Sequence, residues 1–360
     1  MKHQMNPPTG CGMLAFVGSR TTTERQARGL GLSVFRVDDG FTQWQALQTL
    51  PLRNPSFLLA NAAARRLYTV HGDFGEVSAL AVDGAGRLTL LNQQAVQGRN
   101  PVHLERSADG RHLLVANYAS GSIAALPVLA DGSLGAVAST LELPGTPGPH
   151  RVEQIGSHPH QLLRWPGTDL FIVPDKGLDR VHVVQLAPGG KLELIGQAVT
   201  RSGAGPRHAA LDPAQQRLWV ANELDSTVAA YRFDTSSGRL QAERILGLLP
   251  DDFCGESRAA GITLVGNNLL FVSNRGHNSV TSLQVNTDDG ALVRRQWQAT
   301  GGTTPRFLTP TPDGRCLIVA NEGSDTIGRW RIGADGALED GRVVAQTGSP
   351  VCVAFMPVVG

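Results

Sequence analysis

Five stretches of this chain superimpose without a gap: NPSFLLANAAARRLYTVH, NPVHLERSADGRHLLVAN, HPHQLLRWPGTDLFIVPD, GPRHAALDPAQQRLWVAN and TPRFLTPTPDGRCLIVAN. Each carries a proline (Pro55, Pro101, Pro159, Pro206, Pro305) and closes 16 positions later on a polar residue. Those residues are His71, Asn117, Asp175, Asn222 and Asn321. A sixth copy, LLFVSN, lacks the proline and ends at Asn274; a seventh, AFVGS, ends at Ser19. Beyond the polar residue comes a β-branched position and then a Gly-x-Leu turn, as in Gly86-Arg87-Leu88 and Gly238-Arg239-Leu240. The polar ends recur every 46 to 58 residues, enough for four short strands joined by tight turns.

Seven such units predict an all-β fold, a seven-bladed β-propeller of four-stranded antiparallel blades, and one domain over residues 1–360. The 42 glycines, 21 prolines and only 18% charged residues suit short strands and turns better than surface helices. The ends of the chain explain how the ring closes. The N-terminal unit starts at what should be a second strand, and SPVCVAF (349–355) is a first strand with nothing after it. Pairing the two would complete one blade and leave no open sheet edge. Residues 1–12 precede any strand signal and read as a flexible tail.

In an up-and-down blade, the leading proline and the polar strand end meet at one rim, and the Asp-Gly and Gly-x-Leu turns fall on the other. The first rim collects His71, His103, His150, His158, His160, His208 and His277, seven of the ten histidines. It also collects Arg20, Lys176, Arg207, Arg275, Arg306, Asp175, Glu223 and Glu322, and the longest inter-blade loop, residues 143–160. The recurring asparagines read as loop-closing side chains, and a lone histidine such as His71 reads more readily as structural. Arg306 and Glu322 repeat the positions of Arg207 and Glu223. Asp179 and Arg180 read as a solvated loop pair.

A net charge of +1 speaks against a nucleic-acid partner. No apolar run is long enough for a membrane span or a signal peptide, so the cytoplasm is the expected location. The four cysteines (Cys11, Cys254, Cys316, Cys352) form no CxxC pair and read as reduced thiols. No spaced ligand set such as HExxH points to a metal, and no cofactor is expected.

The segments HPHQ, PDKGLDRVHV, GPRH, NELDST, SNRGH and SPVCVAF resemble the bacterial lactonase family of seven-bladed propellers over roughly residues 14–355. That family includes cofactor-free 6-phosphogluconolactonases and fungal 3-carboxymuconate cycloisomerases. The resemblance implies hydrolysis of a sugar lactone carrying an anionic group, with a cycloisomerase as the alternative and a non-enzymatic interaction scaffold as the alternative of another class. It places the active-site set on His160, Arg207, Glu223 and Arg275. In this reading Glu223 is the general base and His160 the acid, while the two arginines share oxyanion stabilisation and anion anchoring. His103, His208, His277, Arg306 and Arg20 complete the substrate-binding candidates. Two rim positions depart from the family pattern: Arg20 in VGSRT, where relatives carry a tyrosine, and His71, where many carry asparagine.

Overall fold

The computed structural model describes residues 12–358. Cys11 and all but the last residue of the expected N-terminal tail lie outside them. Seven four-stranded antiparallel sheets form the ring. Blade 1 runs, from the axis outward, Pro350–Pro357, Met13–Ser19, Leu32–Val37 and Trp44–Leu50. The inner strands of the following blades are Pro55–Asn61, Pro101–Arg106, Leu163–Arg164, Pro206–Asp212, Arg258–Val265 and Pro305–Pro310. The only helical pieces among the described residues are two three-residue 3-10 turns, Thr23–Arg25 and Glu322–Ser324.

Burial follows strand position. The second strands, such as Cys316–Asn321 and Arg217–Asn222, are buried along their whole length because both faces meet neighbouring blades. An outermost strand such as Leu292–Ala299 alternates between half-buried and exposed, with one face in water. Hydrophobic clusters fill all seven blade interfaces, so the core is a ring of wedges around a central channel. Leu218 and Val220 pack against Ile172 between blades 4 and 5, and Trp219 packs against Leu270 between blades 5 and 6.

The prolines shape the inner strands. Pro55, Pro101, Pro206 and Pro305 each pair with the polar end of the adjacent strand, and the ladder then skips one residue. A proline has no N–H to give to the ladder, and the skipped residue is a β-bulge that turns its side chain out of register. The bulged residues are Ser56, Val102, Arg207 and Arg306. Blade 4 departs from the expected regularity: Pro159 makes only an isolated bridge to Asp175, and its inner strand shrinks to two residues. The long loop ahead of it takes up the chain that a full strand would use.

Closure occurs as the termini suggested. Pro350–Pro357 pairs antiparallel with Met13–Ser19 from Met13↔Pro357 to Ser19↔Pro350. Cys352, Val353 and Met356 bury their side chains there. Removing residues 349–360 is therefore expected to lower Tm by more than about 10 °C or abolish cooperative unfolding, since it empties several core positions and frees a sheet edge. Removing residues 1–10 is expected to cost far less. Thermal melts of the two truncations, read by circular dichroism, check this.

Candidate active site

Two repeat positions supply most of the residues at the channel mouth. The first follows the polar strand end, giving Arg20, Gly72, Tyr118, Lys176, Glu223, Arg275 and Glu322 around the ring. The second is the residue after the inner-strand proline, which supplies His160, Arg207 and Arg306. The polar ends themselves do not reach the mouth. Asn222 Nδ2 donates to Thr227 Oγ1 at 2.9 Å, and Asn117, Asn274 and Asn321 make the equivalent contact in their own blades. Asp175 accepts from the backbone N–H groups of His158, Gly177 and Leu178. These side chains close the loops that present their neighbours.

The result is a cavity of ≈ 290 Å³ whose wall carries six cationic side chains, Arg20, Arg25, Lys176, Arg258, Arg275 and Arg306, against Glu153 and Glu223. Glu223 is the most heavily paired group of that wall. Lys176 Nζ donates to its Oε1 at 2.9 Å, while Arg207 Nε and Arg275 Nη2 lie 2.9 and 3.1 Å from its Oε2. The Arg207 contact is an ion pair off the hydrogen-bond direction, and Arg207 Nη1 donates instead to the Ala260 carbonyl at 2.8 Å. Burial opposes the charge on Glu223, yet Arg275, Lys176 and Arg207 outweigh it and hold the carboxyl well below its usual range. Arg207 itself is drawn down to about 9 by burial and by Arg275, and so stays cationic at neutral pH.

Beneath this layer a column of rings descends the channel. His160 packs edge-on against Tyr118 and against His208, at 5.5 and 5.2 Å between centroids. His208 meets His103 at 5.9 Å, and His103 lies over Phe57 at 3.8 Å. Burial, with Arg207 nearby, pushes all three histidines down: His160 and His208 well below their ordinary value, His103 to about 3. They are neutral imidazoles at pH 7. In the unfolded chain they take up protons near pH 6.5, so their contribution to stability is complete above that pH and is lost progressively as pH falls below it. Tm is therefore expected to start falling below about pH 6.5, above the ordinary carboxylate range. His208→Gln should flatten the slope between pH 6.5 and 5, as checked by thermal melts across that range.

The structure brings Glu223, His160, Arg275, Arg306 and Arg20 to the cavity wall and sets Arg207 directly behind it. His103 and His208 sit deeper, in the channel rather than at the rim. His277 is not brought to the cavity: its Nδ1 lies 2.6 Å from Ser279 Oγ and its ring packs on Phe253. His71 is buried within its blade, where Nδ1–H donates to the Arg53 carbonyl and Nε2 accepts from Ser78. Asp179 corrects the solvated-pair expectation. It is 4% exposed and accepts from Gln154 and from the N–H groups of Gly203 and Gly205, anchoring the link into blade 5.

Five charged or aromatic wall residues had no role in the sequence reading: Tyr118, Lys176, Glu153, Arg258 and Arg25. Tyr118 and Lys176 were legible, because each follows its polar strand end as Glu223 and Arg275 do. Glu153 had no such signal; it reaches in from the long loop and bridges Lys176 and Arg258, at 2.6 Å to each. The free thiols among the described residues are Cys254, Cys316 and Cys352. No group of three or more His, Cys, Asp or Glu side chains among those residues is arranged to hold a metal ion.

Comparison with known proteins bears out the fold. The family described as lactonase, 7-bladed β-propeller, matches residues 14–355. A 6-phosphogluconolactonase of Bacillus subtilis is 30% identical over 314 residues, covering 85% of this chain and 88% of its own. The crystal structure of a putative 6-phosphogluconolactonase from Bacteroides fragilis aligns with a TM-score of 0.86 at 27% identity, over 97% of this chain and 99% of that one. A periplasmic gluconolactonase of Pseudomonas aeruginosa aligns with a TM-score of 0.87 at 27% identity, over 97% and 100%. With the family model matching residues 14–355 and the whole ring shared with these structures, the chain belongs to the lactonase family of seven-bladed β-propellers.

Proposed function

We propose that this chain hydrolyses the lactone of a sugar acid bearing a terminal anionic group, 6-phosphogluconolactone being the favoured substrate. The observation that carries the reading is the excess of positive charge around one small cavity that also holds a neutral imidazole. Such a wall concentrates an anion and stabilises negative charge as it develops on a carbonyl oxygen.

The geometry supports a different division of roles from the one expected from sequence. A carboxylate gripped by three cations gives up little energy by staying ionised and is a weak proton acceptor, so Glu223 acts as the ionised hub that spaces Lys176, Arg207 and Arg275. His160 takes both proton steps: burial and Arg207 keep its ring neutral in the free protein, and a bound anion offsets that cation and raises the basicity of the ring. Its neutral ring accepts a proton from water as the water oxygen bonds to the lactone carbonyl carbon. Arg275 holds the resulting oxyanion. When the intermediate collapses, the carbon–ring oxygen bond breaks and the imidazolium returns its proton to the departing oxygen. The open-chain product is a carboxylic acid, which releases a proton to solvent.

The test is a panel of 6-phosphogluconolactone, gluconolactone and a carboxymuconate, followed by acid release for the lactones and by ultraviolet absorbance for the muconate. Catalysed opening of a lactone with preference for the charged one is the expected result. Turnover of the muconate with neither lactone opened would move the chain to the cycloisomerase reading.

A further inference from the structure

The hydrolytic reading leaves one charge unexplained. Arg20 has a side chain only 9% exposed, yet its sole ionic contact is a 3.2 Å approach to Asp73, and its Nε has no partner. Asp73 is already bound by Arg25 through two contacts and by Asn54 Nδ2 at 3.0 Å. The other acids nearby are also engaged: Glu322 by Arg306 Nε at 2.5 Å, and Glu223 by its three cations. A guanidinium with five donors and one long contact is buried at a cost unless something else completes it.

Beside Arg20 lies a recess of ≈ 40 Å³ that shares Arg20, His160 and Arg306 with the larger cavity and is also lined by Arg207 and Ser56. It has room for more than one oxygen-sized atom, and the Ser56 hydroxyl within its wall is buried without a partner. Gly72 makes the arrangement possible. A Cβ there would stand 2.5 Å from Arg20 Nη1 and 2.6 Å from Ser56 Oγ. Burial and the like charge of Arg306 draw Arg20 down to about 10, so it still carries its charge at neutral pH.

We propose that Arg20, Arg306 and Ser56, from three consecutive blades around the closure point, form an oxyanion subsite that selects lactones ending in a phosphate or carboxylate. This rests on the lactonase reading for the identity of the substrate but not for the binding itself. The lactone carbonyl then lies toward His160 and Arg275, and the charged tail lies in the recess between blades 7, 1 and 2. Planar, multidentate guanidinium contacts suit either oxyanion.

The experiment compares the intact protein with Arg20→Met and Gly72→Ala on three substrates: 6-phosphogluconolactone, a glucarolactone with a free carboxylate, and uncharged gluconolactone. Inorganic phosphate binding is measured in parallel by calorimetry. In Arg20→Met, the ratio of kcat/KM for a charged lactone to that for the uncharged one should fall on the order of tenfold to a hundredfold, mainly through KM. Gly72→Ala keeps the charge but displaces the guanidinium, so it should move the ratio the same way. A fall confined to the phosphate or to the carboxylate arm upholds the subsite and names its ligand. An unchanged ratio and unchanged phosphate affinity in both variants would overturn it while leaving the hydrolytic reading intact. Arg20-dependent phosphate binding in a protein that opens no lactone would uphold the subsite and remove the hydrolytic reading.

Discussion

His160→Ala is expected to lower kcat for lactone hydrolysis by roughly a hundredfold to ten-thousandfold, the range for losing a positioned proton-transfer group. The side chain leans on Tyr118 and His208 and lines the cavity, so its loss removes the one neutral imidazole at the wall. Folding should survive, because truncation there opens onto an existing cavity rather than into a wedge of the core. The pH profile separates a base from a packing residue. Burial holds the imidazole well below its ordinary value, so the wild-type kcat/KM should already be on its plateau at pH 6.5 and fall only at lower pH. In His160→Ala that acid limb should vanish along with the rate. An acid limb that persists unchanged in the variant would assign the proton transfer to another group.

Glu223→Gln is expected to produce the largest loss of stability from a single charge, on the order of 3 kcal/mol, since it leaves buried cations facing one another. The side chains involved are nearly closed to water, with Glu223 and Lys176 5% exposed and Arg207 3%. Denaturant titration gives the value. The pH dependence has a definite sign. The carboxyl is held well below the 4.5 of an ordinary glutamate, so the wild type keeps this contribution above about pH 4.5 and loses it as pH falls through the folded value. The variant lacks that acid limb. Added phosphate should restore part of its stability by supplying the missing counter-charge. A Glu223→Gln protein as stable as wild type, with kcat reduced a hundredfold or more, would return the base role to Glu223.

Much of this site was legible in the chain. The gapless repeat aligns Arg207 with Arg306 and Glu223 with Glu322, and the up-and-down order of the strands puts both pairs at one rim. The same register also contained Tyr118 and Lys176. It gave them no role because a tyrosine or lysine beside a polar strand end carries no chemical signature of its own. His277 shows the opposite error. It belongs to the SNRGH segment that carries Arg275, yet two residues further on the loop has turned away and the ring packs on Phe253.

What the sequence determined by itself was everything local and periodic. Proline at the head of most inner strands, a polar residue at the end of the next strand and glycine in the turns specify strands, bulges and blade number, because each acts through backbone geometry within a few residues. The termini likewise specified closure, since a strand missing from one end and left over at the other has one arrangement without an open edge. Only the tertiary structure decided the electrostatics. Glu223, Lys176, Arg207 and Arg275 come from three blades, and whether a carboxylate is a base or a buried counter-ion depends on distances of about 3 Å across the ring. The neutrality of His160 and the unmatched charge of Arg20 arise the same way, from water excluded by neighbouring blades, and no spacing along the chain encodes that exclusion.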